Sequence, residues 1–365
     1  MKKKYGFMLS AVLAAGTLLS ACGTNDANNE SSGGGSSESG SKDFKVAMVT
    51  DTGGVDDKSF NQSAWEGLQQ FGKDNGLEKD KDFKYVQSTA ASDYQPNLSG
   101  LIREDYNLIF GIGFLMQQDI QTIATQKPDA QLALVDSVAV NEDGDPMENV
   151  ASITFKEHQG SFLVGVIAGM QSESNKVGFI GGVDSELIKK FESGFKAGVK
   201  SVNPDAEIFT QYADDFNAAE KGQQIAATLY DKGADIIYHA AGGTGNGVFT
   251  EAKNRAKNGE KVWVIGVDRD QHEEGMPENV TLTSMVKRVD TAVIEVSKQT
   301  MDGNFPGGEV TEFGLEEDGV GIAESQENVS EEALQKVEEY KEQIQNGDLE
   351  VPSTDEEYEK FESSL

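Results

Sequence analysis

Three carboxylates and a pair of glycines stand directly after apolar runs of the sequence. Asp51, Asp136 and Asp268 each follow such a run, and Gly242 and Gly243 follow another. Ligands of open parallel sheets bind beyond the carboxyl ends of the strands, so these positions would face one cleft if the runs are strands. Carboxylates accept strong hydrogen bonds from hydroxyl groups, which suits a ligand rich in hydroxyls. The alternative is that each Asp caps the next helix or turn.

The segment after the first of these runs combines turn residues, an aromatic ring and an amide. Residues 51–62 read Asp-Thr-Gly-Gly-Val-Asp-Asp-Lys-Ser-Phe-Asn-Gln. The glycines allow a tight turn, and either of the two later aspartates can cap a helix that begins near Phe60. Phe60 can stack on a planar ring while Asn61 hydrogen-bonds its edge. Packing of Phe60 on Ala64 and the sheet is the competing interpretation.

Hydrophobic periodicity predicts the elements that would hold these residues. Short apolar runs predict six buried strands, at residues 46–50, 107–112, 131–135, 176–180, 235–239 and 261–267. Between them, apolar residues recur at helical spacing, in one set at Phe60, Ala64, Leu68 and Phe71 and in another at Leu187, Phe191, Phe195 and Val199. Alternation of strands with helices predicts parallel sheets joined by right-handed crossovers.

A weak internal repeat indicates two similar halves. Three short segments of the first half recur in the second, in the same order and at near-equal offsets. The pairs are residues 45–49 with 176–180, 107–110 with 235–238, and 134–136 with 266–268. Coincidence among short apolar runs is the alternative. The repeat favours an α/β chain of two hinged lobes, each a parallel sheet flanked by helices.

The expected lobes are discontinuous in sequence. We expect the chain to cross between them near residues 151–155, near 282–287 and again after a helix at 289–301. The resulting boundaries place 43–153 and 284–302 in lobe 1, 154–283 and 303–329 in lobe 2, and 330–365 in an acidic C-terminal helix and tail. In that tail Ser330 is the expected N-cap of a helix over residues 330–346, and its charge run is expected to be a solvated face.

The N-terminus has the pattern of an export signal. Three lysines at positions 2–4 precede an apolar run at 6–19, which is short for a transmembrane helix. The run ends in Leu-Ser-Ala followed by Cys22, the single cysteine of the chain, and resembles a bacterial lipobox. The resemblance implies a lipoprotein signal peptide at 1–22 and a lipid anchor with palmitate on Cys22. A plain signal peptide is the alternative. Residues 23–42, rich in Gly, Ser and Asn, predict a flexible tether.

Composition argues against several classes of function. The chain carries 63 acidic against 31 basic residues and a formal charge of −32, which disfavours nucleic-acid binding. One cysteine and three histidines offer neither a disulfide nor a Cys-based zinc site, and we expect no metal and no cofactor. The glycines at 242–247 lack both the Lys of a phosphate loop and the dinucleotide spacing. We therefore expect no enzyme, although sequence alone leaves a glycosidase-like carboxylate pair open.

The motifs together resemble the basic membrane protein family. The signature-like segment Asp-x-Gly-Gly-x-x-Asp-Lys-Ser-Phe-Asn-Gln follows the first strand, and further matches lie at 189–198, 241–245, 265–268 and 284–287. The resemblance runs from about residue 44 to 323 and leaves out the tether and the acidic tail. Its members are lipoproteins that serve as purine-nucleoside-binding components of ABC importers, and they have the two-lobed type I periplasmic-binding-protein fold.

The resemblance also implies which residues would hold the base. Phe60 and Phe191 would sandwich the purine from opposite lobes. Asn61 and Asp136 would contact polar edges of the base, and Asp51 would support that end of the site. Phe191 has a competing role as a core residue, since it shares a helical stripe with Leu187 and Phe195.

The sugar end is implied in the same way. Asp268, with the backbone of Gly242 or Gly243, would take ribose hydroxyls. Lys287 would pair with Asp268 or donate to the sugar.

The resemblance therefore implies an extracytoplasmic, lipid-anchored monomer that binds a purine nucleoside of the guanosine, inosine and adenosine class. Its other partners would be ABC permease subunits, and it would contact the membrane only through its anchor. A binding protein for a sugar or another small polar ligand shares the fold and the carboxylates. A regulatory surface lipoprotein without a transport role is a further alternative. Sugar sites commonly use tryptophan, and Trp65 and Trp263 fall in mid-helix and mid-strand, where packing roles are expected.

Overall fold

The computed structural model describes residues 44–365. The expected signal peptide at 1–22, the lipidation site at Cys22 and the tether at 23–42 lie outside the described residues. Among the helices that are described, none is both long enough and apolar enough to cross a membrane.

Within residues 44–365 the strands form two six-stranded sheets. In chain order they are β1 (Val46–Val49), β2 (Phe83–Val86), β3 (Leu108–Ile112), β4 (Gln131–Val135), β5 (Val150–Phe155), β6 (Lys176–Gly181), β7 (Glu207–Tyr212), β8 (Ile236–Ala240), β9 (Trp263–Asp268), β10 (Thr281–Lys287), β11 (Val310–Phe313) and β12 (Val320–Ile322). The first sheet has the order β11-β5-β4-β3-β1-β2, and the second has β12-β10-β9-β8-β6-β7. All neighbours are parallel except β12, which pairs antiparallel with β10.

Helices cover both sheets. They are α1 (Phe60–Asp74), α2 (Tyr94–Arg103), α3 (Gln117–Gln126), α4 (Glu157–Gln171), α5 (Glu186–Val202), α6 (Ala219–Asp231), α7 (Gly245–Lys257), α8 (Val289–Met301), α9 (Glu331–Gln345) and α10 (Asp355–Glu362). Helix α1 packs against α8 in the first lobe, while α4 packs along α5, and α6 along α7, in the second. Each sheet therefore buries its apolar strands beneath helices, which is why the central strands read as continuous hydrophobic runs.

The predicted fold class is confirmed. All six predicted strands are present, and each end lies within two residues of its expected position. The strands that periodicity did not predict include the four at the sheet edges, β2, β7, β11 and β12, which are mostly half-buried or exposed. An edge strand has fewer neighbours to bury it, so its sequence carries a weaker hydrophobic signal.

The lobe boundaries differ in two places from those expected. Strand β10 is hydrogen-bonded to β9 and β12 over residues 281–287, so residues 284–287 lie in lobe 2 and not in lobe 1. Strand β11 pairs with β5 and so returns the chain to lobe 1 within residues 303–329, all of which are expected from the sequence in lobe 2. The chain crosses at 155–157, 287–289 and 313–320. Pairing between strands far apart in sequence decides these boundaries, and local periodicity does not report it.

The acidic C-terminal segment is docked on lobe 2. Ser330 caps α9 as expected, with its hydroxyl accepting from the backbone N–H of Ala333 at 3.2 Å. The outer side of the helix is charged and solvated, but its inner side packs on α4, where Tyr340 meets Phe162 edge to face at 5.2 Å. Helix α10 packs on α5 and buries Tyr358. The segment therefore belongs to the folded lobe.

Candidate ligand-binding site

A narrow cavity lies between the two lobes, at the carboxyl ends of their central strands. The space in it that a water-sized sphere can occupy is about 50 Å³, well below the roughly 300–1,000 Å³ of small-molecule sites, so the cleft is nearly closed in this structure. Eight of the nine residues expected from the sequence line it, namely Asp51, Phe60, Asn61, Asp136, Phe191, Gly242, Asp268 and Lys287. Gly243 lies next to it in the turn before α7 and is not among the lining residues.

Asp136 and Asp268 occupy equivalent positions in the two lobes and share an unusual backbone. Asp136 directly follows β4 and Asp268 ends β9, with φ angles of 66° and 65°. This left-handed region is uncommon for residues other than glycine, and aspartate is among those that tolerate it. Neither side chain caps a helix, because each accepts instead from a side chain across the cleft. The capping alternative therefore fails for both.

Lys287 joins the two carboxylates at the base of the cleft. It ends β10, is 2% exposed, and places Nζ 2.6 Å from Oδ2 of Asp136 and 3.9 Å from Oδ1 of Asp268. Its nearest carboxylate is thus that of the opposite lobe. Burial opposes the charge on this ammonium, but Asp136, Asp268 and Glu157 outweigh it and raise the pKa of Lys287. The side chain is a buried cation shared by both lobes.

Two phenyl rings from opposite lobes flank this cation. Phe60 begins α1 in lobe 1, and Phe191 lies on α5 in lobe 2. The Nζ atom of Lys287 lies 4.6 Å from the ring centroid of Phe60 and 5.4 Å from that of Phe191. Phe191 is 3% exposed and Phe60 half-buried, yet both line the cavity. Packing and cavity lining are therefore not exclusive roles for these rings.

A second pair of aromatic rings meets across the cleft and was not anticipated. Phe114 follows β3 in lobe 1, and Phe216 follows β7 in lobe 2. Their ring centroids are 6.2 Å apart in an edge-to-face arrangement, and both rings line the cavity. Phe114 could have been found by applying the strand-end rule to aromatic residues as well as carboxylates. Phe216 stands further from its strand, and no motif marks it.

Asn61 holds its neighbours and has little hydrogen-bonding capacity left. Its Nδ2 donates to Oδ1 of Asp51 at 2.7 Å and to Oδ2 of Asp57 at 3.0 Å, while its Oδ1 accepts from the backbone N–H of Asp51 at 3.3 Å. Asp57 is the carboxylate that caps α1, since it also accepts from the backbone N–H of Asn61 at 2.8 Å. Asn61 thus orients Asp51, whose Oδ1 also accepts from Gly53.

Burial keeps several carboxylates close to titration. Desolvation raises the pKa of Asp51 to about 6, although hydrogen bonds from Asn61 and Gly53 act to lower it. Desolvation also raises the pKa of Asp268 to about 6, although Lys287 and Ser59 act to lower it. Glu157, which sequence reasoning missed, has its pKa raised to about 7 by burial, although Lys190 and Lys287 oppose the shift. The site is therefore acidic at neutral pH and would lose negative charge in mild acid.

Several carboxylate oxygens are left for a ligand. Within residues 44–365, Oδ1 of Asp136 is buried without a hydrogen-bond partner, and Asp51 uses only Oδ1 in its hydrogen bonds. Over the same range, no group of three or more His, Cys, Asp or Glu residues is arranged to hold a metal ion. In chemistry, a flat ligand with N–H and O–H donors would complement the rings and the free acceptors.

Comparison with known sequences identifies relatives along most of the chain. A family model described as "ABC transporter substrate-binding protein PnrA-like" matches residues 44–355. A "CD4+ T-cell-stimulating antigen" of Listeria innocua is 52% identical over 361 residues, which cover 96% of this chain and 99% of the relative. The "ABC transporter nucleoside-binding protein BmpA" of Lactococcus lactis is 41% identical over 363 residues, covering 97% and 100%.

A solved structure agrees with the fold. An ABC transporter solute-binding protein from Aeropyrum pernix superposes with a TM-score of 0.76 at 25% sequence identity, covering 87% of this chain and 96% of that one. The two lobes have the type I periplasmic-binding-protein fold, as expected. The family description and the Lactococcus relative name binding proteins of transporters and no enzyme. The chain belongs to the basic membrane protein family of PnrA-like ABC transporter substrate-binding proteins.

Proposed function

We propose that this protein binds purine nucleosides between its lobes and presents them to an ABC permease from the outer face of the cell membrane. The observation that supports this most directly is the pairing of two phenyl rings from opposite lobes with free carboxylate oxygens in one cavity. The Lactococcus lactis relative, 41% identical, is named as nucleoside-binding. The lipobox-like sequence supports an anchor on Cys22, from which the tether would hold the lobes outside the membrane.

The base would stack between Phe60 and Phe191. Stacking of a base on an aromatic side chain is worth roughly 1–3 kcal/mol in single-strand binders. The two rings belong to different lobes, so a ligand engages both only when the lobes are closed. Binding would therefore shift the population toward the closed conformation.

The polar groups divide between the two ends of such a ligand. Near the base, Asp136 and Asp51 each keep one carboxylate oxygen free, and these acceptors suit N–H donors of guanosine, inosine or adenosine. At the sugar, Asp268 keeps Oδ1 for a ribose hydroxyl, because its Oδ2 accepts from Ser59. Such charge-assisted hydrogen bonds are stronger than neutral ones.

A sugar is a poorer fit to this cavity. Trp65 packs on Tyr85 at 4.9 Å in the core of lobe 1, and Trp263 lies in β9, so neither tryptophan lines the cavity. The aromatic surfaces offered to a ligand are phenyl rings of both lobes. A purine base uses two opposed faces, which supports the nucleoside over the sugar.

The acidic cavity predicts selection against phosphate. We expect inosine and guanosine to bind at least a hundredfold more tightly than their 5′-monophosphates, because a phosphate would be desolvated next to buried carboxylates. Isothermal titration calorimetry at pH 7.5 measures both affinities, with cytidine as a comparison for base size. Equal or tighter binding of a monophosphate would overturn the proposal.

Loss of one ring predicts a uniform loss of affinity. Phe60→Ala should weaken every purine nucleoside by roughly tenfold or more, because a ring face does not distinguish among purines. Phe209→Ala removes a half-buried ring of β7 that lies outside the cavity and serves as the matched control. A loss confined to one nucleoside, or an equal loss in the control, would contradict stacking on Phe60.

Titration of Asp268 predicts weaker binding in mild acid. Without ligand, the pKa of Asp268 is about 6. Ribose hydroxyls donate to its ionised carboxylate, so ligand binding lowers this pKa. Affinity should therefore be constant above pH 7 and fall by roughly tenfold between pH 7 and pH 5. Calorimetry at several pH values tests this, and Asp268→Asn should reduce the pH dependence. An affinity that rises on acidification would show that Asp268 does not accept from the ligand as a carboxylate.

A further inference from the structure

Two adjacent residues of lobe 1 are held by two buried side chains of lobe 2. Nε2 of Gln271 donates to the backbone carbonyl of Lys58 at 2.9 Å. Next to it, the hydroxyl of Ser59 donates to Oδ2 of Asp268. Ser59, Gln271 and Asp268 are all buried, with Gln271 only 1% exposed. These hydrogen bonds cross the cleft and join the segment that leads into α1.

Gln271 is fixed firmly within lobe 2. Its Oε1 accepts from the backbone N–H of Val267 at 2.8 Å and contacts Nε2 of His239 at 3.1 Å, while its backbone N–H donates to the hydroxyl of Ser284 at 3.0 Å. Burial lowers the pKa of His239 to about 4, so the ring is neutral and can carry its proton on Nε2. These contacts orient the amide of Gln271 so that Nε2 points across the cleft.

The held segment leads directly into Phe60, one of the two rings proposed to flank the base. Lys58 has a left-handed backbone, with φ of 62°, and is followed by Ser59, Phe60 and Asn61. Lobe 2 also reaches the residue before it, since Nδ2 of Asn246 donates to the carbonyl of Asp57 at 3.2 Å. Three consecutive residues of lobe 1 are thus fixed from the opposite lobe, directly before the ring proposed to stack on the base.

We propose that Ser59 and Gln271 are positioning residues that stabilise the closed conformation and set the rate at which ligand leaves. The two hydrogen bonds, Ser59 to Asp268 and Gln271 to the carbonyl of Lys58, are called the latch below. Gln271 does not line the cavity, so its contribution is to the closed state and not to ligand recognition. Separation of the lobes breaks both hydrogen bonds, and closure restores them whether or not a ligand is present. The hydrogen bond from Ser59 also uses one of the two acceptor positions on Oδ2 of Asp268, which leaves Oδ1 as the freer oxygen. The inference rests on the proposed nucleoside site for its ligand but not for its contacts.

The test separates association from dissociation. Ser59→Ala and Gln271→Met each remove one donor of the latch, and stopped-flow displacement of bound inosine measures both rate constants. We expect koff to rise roughly tenfold in each variant while kon changes less than about twofold. Ser63→Ala is the matched control, because its hydroxyl lies one turn along α1 and accepts from the backbone N–H of Asp290 within lobe 1. An unchanged koff in Ser59→Ala, or a loss of affinity carried by kon alone, would overturn the proposal.

A second measurement does not need a ligand. Hydrogen exchange of the backbone amides at residues 58–62 in the ligand-free protein should be faster in Ser59→Ala than in the unaltered chain or in Ser63→Ala. Equal exchange would overturn the latch. If the unaltered protein binds no nucleoside, the proposed function fails, and exchange in the ligand-free protein still decides the latch. Should Gln271→Met fail to fold, Ser59→Ala alone is decisive.

Discussion

The buried ammonium of Lys287 is the interaction on which the cleft depends. A charge in a protein interior is costly unless opposite charges lie close to it, and here the compensating carboxylates come from both lobes. Asp136 approaches from lobe 1, and Asp268 and Glu157 from lobe 2. Closure of the lobes therefore brings the carboxylate of Asp136 against this cation, which forms the floor of the cavity.

The same cation lies close to the points where the chain crosses between lobes. Lys287 ends β10 directly before the second crossing, and its ammonium stands 5.3 Å from the ring of Phe155 at the first. Phe155 in turn stacks on Phe313, which lies at the third crossing, with ring centroids 5.5 Å apart. A group proposed to contact the ligand is thus packed into the hinge itself. This arrangement gives a direct physical link between an occupied cleft and the angle between the lobes.

The sequence predicts those parts of the site that local patterns specify. Asp136 and Asp268 were predicted to face the cleft because each follows a buried strand, and strand ends of parallel sheets meet at one edge; both line it. Phe60 and Asn61 were predicted to face the cleft from a single short segment. The same segment does not predict that the amide of Asn61 donates to Asp51 and Asp57. That engagement depends on side-chain positions that sequence does not give.

Other features escaped prediction because they depend on contacts between distant segments. Glu157 is buried at the start of α4, and the lysines that pair with it, Lys190 and Lys287, stand far along the chain. Gln271 reaches Lys58 across more than two hundred residues. Strand β11 likewise belongs to lobe 1 because it pairs with β5, which stands far from it in sequence. Periodicity locates elements, whereas long-range pairing decides which of them meet.

The proposed complex holds a purine between rings of the two lobes while a carboxylate binds its sugar. A crystal structure of the protein with inosine tests this most directly. We expect the base to lie between Phe60 and Phe191 and a ribose hydroxyl to donate to Oδ1 of Asp268. A closed cleft that remains empty at saturating inosine, or a base bound away from both rings, would contradict it.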